Sequence, residues 1–403
     1  MPLGWIDYSK SERSKVLSVL DMLSESGTLD ELGISPIRDG FSNIFFPGTS
    51  TIQTRAKYFL IVPYALKDLE LSSESNPNKI LKAFDDIERQ CGEKLLSAGT
   101  DTEGVIGNRS LKQGKWVKRT PADIYWAGIR NYGIFTKGNF SLTEYVRATC
   151  AMKNQKATLS KLGNRNDNVD VDADDKDAGD LIRMQFWKLP TYRTDWIDEL
   201  EIKLSEEEAS FLKHQIIQSY PDSMLAYILR NGMTDIFQCE EFYEMESIVH
   251  VFPEQMQSDF KMAMDFSGFL YVLRTMYNIM ISEGKNSLAN QEWSKIEPLI
   301  GRLSAVDFES IFTRLQLHRN VSLWRFLVTE QQLMRDGDVE GIKNEIRRRE
   351  RELKQNRAKT MHPGEFDTDV WYGGGFLDYR FNDAKVIIRD IFESEGLYVK
   401  PEQ

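Results

Sequence analysis

Cysteine is scarce: Cys91, Cys150 and Cys239 are far apart and odd in number in a chain of 403 residues. That excludes a disulfide framework or a thiolate metal site and leaves three partly buried thiols of a reducing compartment. The four histidines, His214, His250, His318 and His362, include no pair at helical-turn spacing, so neither a zinc nor a di-iron centre is indicated. Long apolar runs are also missing. The longest, around 266–280, is broken by Ser267, Arg274, Thr275 and Asn278, which makes it a buried helix and not a membrane span. The opening MPLGWIDYSKSERSK has no apolar stretch behind a basic one, so no secretory leader is expected. The expectation is a cytoplasmic protein without membrane contact.

The familiar grammar of catalysis is absent as well. GVIGNR holds Gly104 and Gly107 but no third glycine opening a helix, and no Lys-Ser/Thr follows. The YGGGF piece, with Gly373 to Gly375, lacks a strand–loop–helix setting, so both glycine stretches read as turns. No Gly-x-Ser-x-Gly elbow occurs. Asp170, Asp172 and Asp174 alternate as a calcium loop begins, yet its sixth and twelfth positions are Asp175 and Leu181 where Gly and Glu are needed. A solvated loop is the reading there. No catalytic residue, metal ligand or cofactor is assigned.

What is present is an ordinary globular composition, 41% apolar and 28% charged, long enough for two or three lobes. Helical signals dominate. Ser9/Glu12, Ser50/Gln53 and Ser205/Glu208 have capping-box spacing. Ser35-Pro36 opens a helix that Pro47-Gly48 closes. Ile52, Ala56, Phe59 and Leu66 lie on one stripe, which predicts a helix from Ser50 that Pro63 kinks or ends. Further helices are expected at 256–283, 291–303, 305–317, 322–336, 338–359 and 381–395. The fold class is therefore mostly α, a multi-lobed helical protein with a small irregular, β-containing segment near residues 100–140, where KWVKR reads as an exposed strand. The acidic, apolar-poor stretch 164–180 suggests a division into an N-terminal helical domain (1–160), a linker (161–180) and a C-terminal helical domain (181–403).

Net charge is −11, which argues against a chain coated for indiscriminate nucleic-acid binding but not against a local basic groove. Arg109, Lys112, Lys115, Lys118 and Arg119 follow one another without an intervening acid, with Trp116 among them and Tyr125, Trp126 and Arg130 just beyond. Cations can neutralise phosphates while aromatic faces stack on bases; the plain alternative is that the aromatics are core. A second basic face, with Lys343, Arg347, Arg351 and Lys354, lies on a helix that Glu345, Glu350 and Glu352 dilute, so a salt-bridged surface competes with phosphate contact. Arg55 and Lys57 flank an apolar stripe. They snorkel to solvent, line an interlobe cleft beside residues 109–132, or are buried and paired with acids such as Asp39 or Asp7.

GWIDYS (4–9), DELGISPIRDGFSNIFFPGTSTIQTRAKYFLIVPYAL (30–66), GVIG (104–107), KRTPADIYWAGIRNYGI (118–134) and LSEEEASFLKHQIIQSYPDSMLAYIL (204–229) resemble a bacterial domain-of-unknown-function family. That family brings no catalytic residues to carry over. The resemblance implies an accessory component of antiviral defence or mobile islands, beside helicases and phospholipase-D-like nucleases. The expected function is a non-catalytic subunit contacting nucleic acid, DNA ahead of RNA, together with a helicase or nuclease partner. The alternatives are a protein–protein scaffold without nucleic-acid contact and a cryptic nuclease.

Overall fold

The structure, a computed structural model, describes residues 30–98, 101–163 and 185–399. Ser9, Glu12, Asp7, the acidic stretch 164–180 and its Asp170–Asp174 alternation lie outside the described residues. The fold is mostly α-helical. In chain order the helices are α1 (Ser35–Phe45), α2 (Tyr58–Leu71), α3 (Pro77–Ala98), α4 (Asn108–Leu111), α5 (Pro121–Asn131), α6 (Leu142–Gly163), α7 (Glu206–Ser219) and α8 (Met224–Asn231). They continue with α9 (Glu254–Ile281), α10 (Ser287–Ile296), α11 (Ile300–Leu303), α12 (Phe308–Leu315), α13 (Val321–Asp336), α14 (Val339–Lys354) and α15 (Phe381–Ser394). Among the described residues there is no strand, only an isolated antiparallel bridge between Phe135 and Trp187. KWVKR, expected as a strand, is irregular chain. No helix of the described residues is long and apolar enough to cross a membrane.

Two compact units divide the chain: in the described residues, 30–42 with 242–379 form one, and 43–241 with 380–399 the other. These units are discontinuous in sequence and do not coincide with a 1–160, 161–180, 181–403 division. The reason is local: α15, from the end of the chain, packs on α7 and α8 in the second unit.

In that second unit α2 is the buried axis, packed on α3 and α5. Every residue from Tyr58 to Leu66 is buried, Pro63 included. Sequence patterning predicted a helix beginning at Ser50 and interrupted at Pro63; both ends move. A proline inside a helix costs about 3 kcal/mol, but each large apolar side chain buried returns about 1.5–3 kcal/mol. Burial wins, and the helix runs on to Leu71. Residues before Tyr58 are turns because tertiary partners take their backbone. The Tyr125 hydroxyl accepts from the Thr54 and Arg55 amides at 2.8 and 3.0 Å and donates to the Arg55 carbonyl at 2.8 Å. The Ala56 amide donates to Asp390 Oδ2 at 2.7 Å. The Ser205/Glu208 capping box forms as its spacing predicts, and Thr120 with Asp123 makes another at the start of α5.

In the first unit the long helix α9 is central, packed against α10, α11 and α14, with α13 on α14. Its side chains also hold the non-helical strap 370–379. Asn278 grips Tyr372 on both sides, accepting from its amide at 2.8 Å and donating to its carbonyl at 2.9 Å. Arg274 Nη1 donates to the Gly375 carbonyl at 2.5 Å, Ser267 accepts from the Leu377 amide at 2.8 Å, and the Tyr379 hydroxyl reaches the Ala263 carbonyl at 2.6 Å. These grips recur every one or two helical turns, at 263, 267, 274 and 278, so the strap follows the helix.

Candidate nucleic-acid interface

The basic segment 109–119 is built on a tight knuckle. Gly107 adopts φ +81°, a left-handed conformation that glycine takes without strain, and starts the short helix α4. The chain then closes through the Gly114 amide on the Leu111 carbonyl (2.9 Å) and the Lys115 amide on the Ser110 carbonyl (2.9 Å). Trp116 anchors the far side. It is half-buried, donates from Nε1 to Asp85 Oδ1 at 3.1 Å, and lies so close to Gly92 and Gly107 that a Cβ on either would stand 3.3 Å from its ring. Around this anchor Arg109, Lys112, Lys115, Lys118 and Arg119 are all exposed. None of the five makes a side-chain hydrogen bond or ion pair among the described residues.

The aromatics that follow are elsewhere. Tyr125 is fully buried against Tyr58 and Phe59, its hydroxyl committed to residues 54 and 55. Trp126 is buried among Phe135, Tyr145 and Trp187, and its indole donates to the Phe140 carbonyl at 3.1 Å. Neither offers a face on which a base could stack. Arg130 is half-buried and donates to the Gly138 carbonyl at 3.3 Å. What remains at the surface is a cluster of five cations around the half-buried Trp116.

Arg55 and Lys57 are buried and paired. Arg55 Nε donates to both Asp390 oxygens at 3.0 and 3.1 Å, while Nη1 reaches Asp101 Oδ2 at 2.8 Å and the Glu103 carbonyl at 3.0 Å. Burial works against its charge, but the two carboxylates outweigh that and hold its pKa above the ordinary arginine value. Gly104 completes the seat: at φ +73°, a Cβ there would fall 2.7 Å from Arg55 Cγ. Lys57 Nζ pairs with Glu208 Oε2 at 2.5 Å, and Tyr64 donates to the other Glu208 oxygen at 3.3 Å. Asp390, Asp101 and Glu208 were not legible as partners, being 335, 46 and 151 residues away in the chain. Asp39, a sequence candidate, pairs instead with the neighbouring Arg38. Beside the knuckle Glu88 is buried and accepts from the Ala122 amide at 2.7 Å, at the start of α5; burial pushes its carboxyl up to about 8.

The second basic cluster belongs to the other unit. Arg347 and Arg351 are exposed and line an open groove with Asn344, Arg348 and Met361. Arg347 donates to Asn344 Oδ1 at 2.8 Å. Lys343 is held by Glu340 at 2.6 Å, Arg348 by Glu345 and Glu352, and Lys354 turns toward Glu31 at 3.4 Å. The intrahelical acids cancel much of this face, as the interleaved sequence predicts.

No curated protein and no solved structure matches this chain. A family model does, over residues 1–295. The chain belongs to the family of unknown function DUF6361.

Proposed function

We propose that the chain binds a nucleic-acid backbone through the 109–119 knuckle, as a non-catalytic, cytoplasmic accessory subunit of an antiviral defence system. One observation carries the reading. Five exposed cations, without acid partners among the described residues, sit within eleven residues of a protein whose net charge is −11. A surface that keeps such charges unpaired has low intrinsic value for stability, since exposed pairs contribute only about 0–1 kcal/mol, and high value for a polyanion. With Tyr125 and Trp126 in the core, recognition is of phosphates and not of bases, so DNA duplex and single strand both qualify. The defence role and a helicase or phospholipase-D-like nuclease partner come from the family resemblance.

The test is fluorescence anisotropy of labelled single-stranded and duplex DNA with the full chain and the Lys115→Glu, Lys118→Glu, Arg119→Glu triple variant. The wild type should bind with log affinity falling linearly in log salt, at a slope of about −0.7 to −0.9 per phosphate contacted. The triple variant should lose that binding while melting at the wild-type temperature. Absence of wild-type binding at low salt, or a salt-insensitive affinity, refutes the reading.

A further inference from the structure

The strap on α9 displays a row of aromatic rings. Tyr271 stacks on Phe376 with centroids 4.4 Å apart and planes at 14°, and on Trp371 at 6.0 Å and 19°. Tyr243 lies against Phe376 at 6.0 Å. Phe376 is 46% exposed and Tyr243 is 43% exposed, so two rings that could have been core stand at the surface. The row is rigid, because Asn278, Arg274 and Ser267 hold the strap's backbone from below. A preorganised aromatic surface loses little entropy when a partner arrives.

The strap's own charges are acidic, and the cations beside it are engaged: Arg274 with the Gly375 carbonyl at 2.5 Å, and Lys359 with Glu31 at 3.5 Å while lying 4.1 Å over the Tyr372 ring. Segment 362–379 contains Glu365, Asp367, Asp369 and Asp378 and no lysine or arginine. Asp367 and Asp369 are exposed four and two residues before Trp371. Glu292 accepts from the Tyr271 hydroxyl at 2.8 Å but is already paired with Lys295 at 2.7 Å, and Glu246 is exposed three residues beyond Tyr243. Nucleic acid is repelled by such a rim. A cation is favoured twice, by the carboxylates and by the π-faces, which attract guanidinium and ammonium groups within about 6 Å of a ring centroid.

We propose that this acid-rimmed aromatic row, Tyr243, Tyr271, Trp371 and Phe376, is a docking surface for an arginine- or lysine-rich segment of a partner protein. The partner's cations lie over the outer rings and meet Asp367, Asp369 and Glu246 at the edge. The surface is distinct from the 109–119 knuckle in position and in charge, so each assignment stands or falls without the other.

Isothermal titration of the full chain with a twelve-residue Arg/Gly peptide, and with its Glu/Gly counterpart, tests this. The Arg/Gly peptide should bind and the Glu/Gly peptide should not. Phe376→Ala with Tyr243→Ala should weaken binding at least tenfold without moving the melting temperature, since both side chains are half exposed. Asp367→Lys with Asp369→Lys should do the same. Asp86→Lys with Asp222→Lys, reversals at exposed sites of the other unit, should leave affinity within twofold. Equal loss in that control means attraction to net charge alone and overturns the proposal. So does failure of the Arg/Gly peptide to bind, DNA binding that the Phe376/Tyr243 variant abolishes, or self-association of the wild type that the same variant disperses.

Discussion

Arg55 and Arg274 are both more than 90% buried, with 6% and 9% of their surface exposed, yet they are held in opposite ways. Arg55 has two carboxylates and a carbonyl around its guanidinium. Arg274 has one carbonyl, Gly375, and no ion pair among the described residues; burial pushes its pKa below the ordinary value. Desolvating a charge costs several kcal/mol, and only close counter-charges offset it. Arg55 is therefore a structural pin joining the start of α2 to α15, whereas Arg274 is a clamp on a strap backbone that gives up electrostatic stability for position. Burial alone does not tell which kind of arginine one is looking at; the partner set does.

The largest effect that could break this contrast is at Arg55. Arg55→Met strands Asp390 and should cost on the order of 3–5 kcal/mol, read from urea midpoints. Adding Asp390→Leu should recover much of that loss. If the double variant is as unstable as the single, the pair is not what the arginine supplies.

Glu88 sharpens the rule with an acid that has no cation partner among the described residues. Its folded pKa, about 8, lies above its ordinary value of 4.5, so the native state holds the extra proton. Stability from this group is then full below about 4.5 and falls as pH climbs toward about 8. Glu88→Gln should remove that slope and raise stability by roughly 2–4 kcal/mol at pH 8.5 while changing little at pH 5. Melting curves of both proteins across that window decide it; parallel curves would mean the carboxyl titrates normally.

Arg274→Met should show the smallest effect, within about 1–2 kcal/mol, because relief of a desolvated charge offsets the lost hydrogen bond to Gly375. Its signature is local: amides of 373–376 should exchange faster while the α9 core does not. A loss as large as that at Arg55 would erase the distinction between pin and clamp.

Much of the architecture was legible from local chemistry. The capping box at Ser205, the closure after Phe45 and the α9, α13 and α15 periodicities need only nearest neighbours, and they appear where the spacing puts them. The start of α2 was not legible. Asp390 and Tyr125 intercept the backbone of residues 54–56, and nothing near Ser50 announces partners 334 and 70 residues away. The exposed cations of 109–119 were readable because acids are absent between them. The fate of Tyr125 and Trp126 was not, since a tyrosine or tryptophan beside a basic run looks the same in a core as on a platform. The strap escaped for a related reason: its bonds run from side chains of α9 to backbone carbonyls and amides, which no residue pattern within 370–379 encodes.

Because α9 grips the strap by its backbone, the outward side chains of 370–376 carry almost none of the burden of folding. Val370 and Phe376 can be exchanged for other residues while Asn278 and Ser267 keep the main chain where it is. A surface of this kind separates the residues that hold the chain in place from those it shows to solvent, so its outward chemistry can be rewritten without touching its frame.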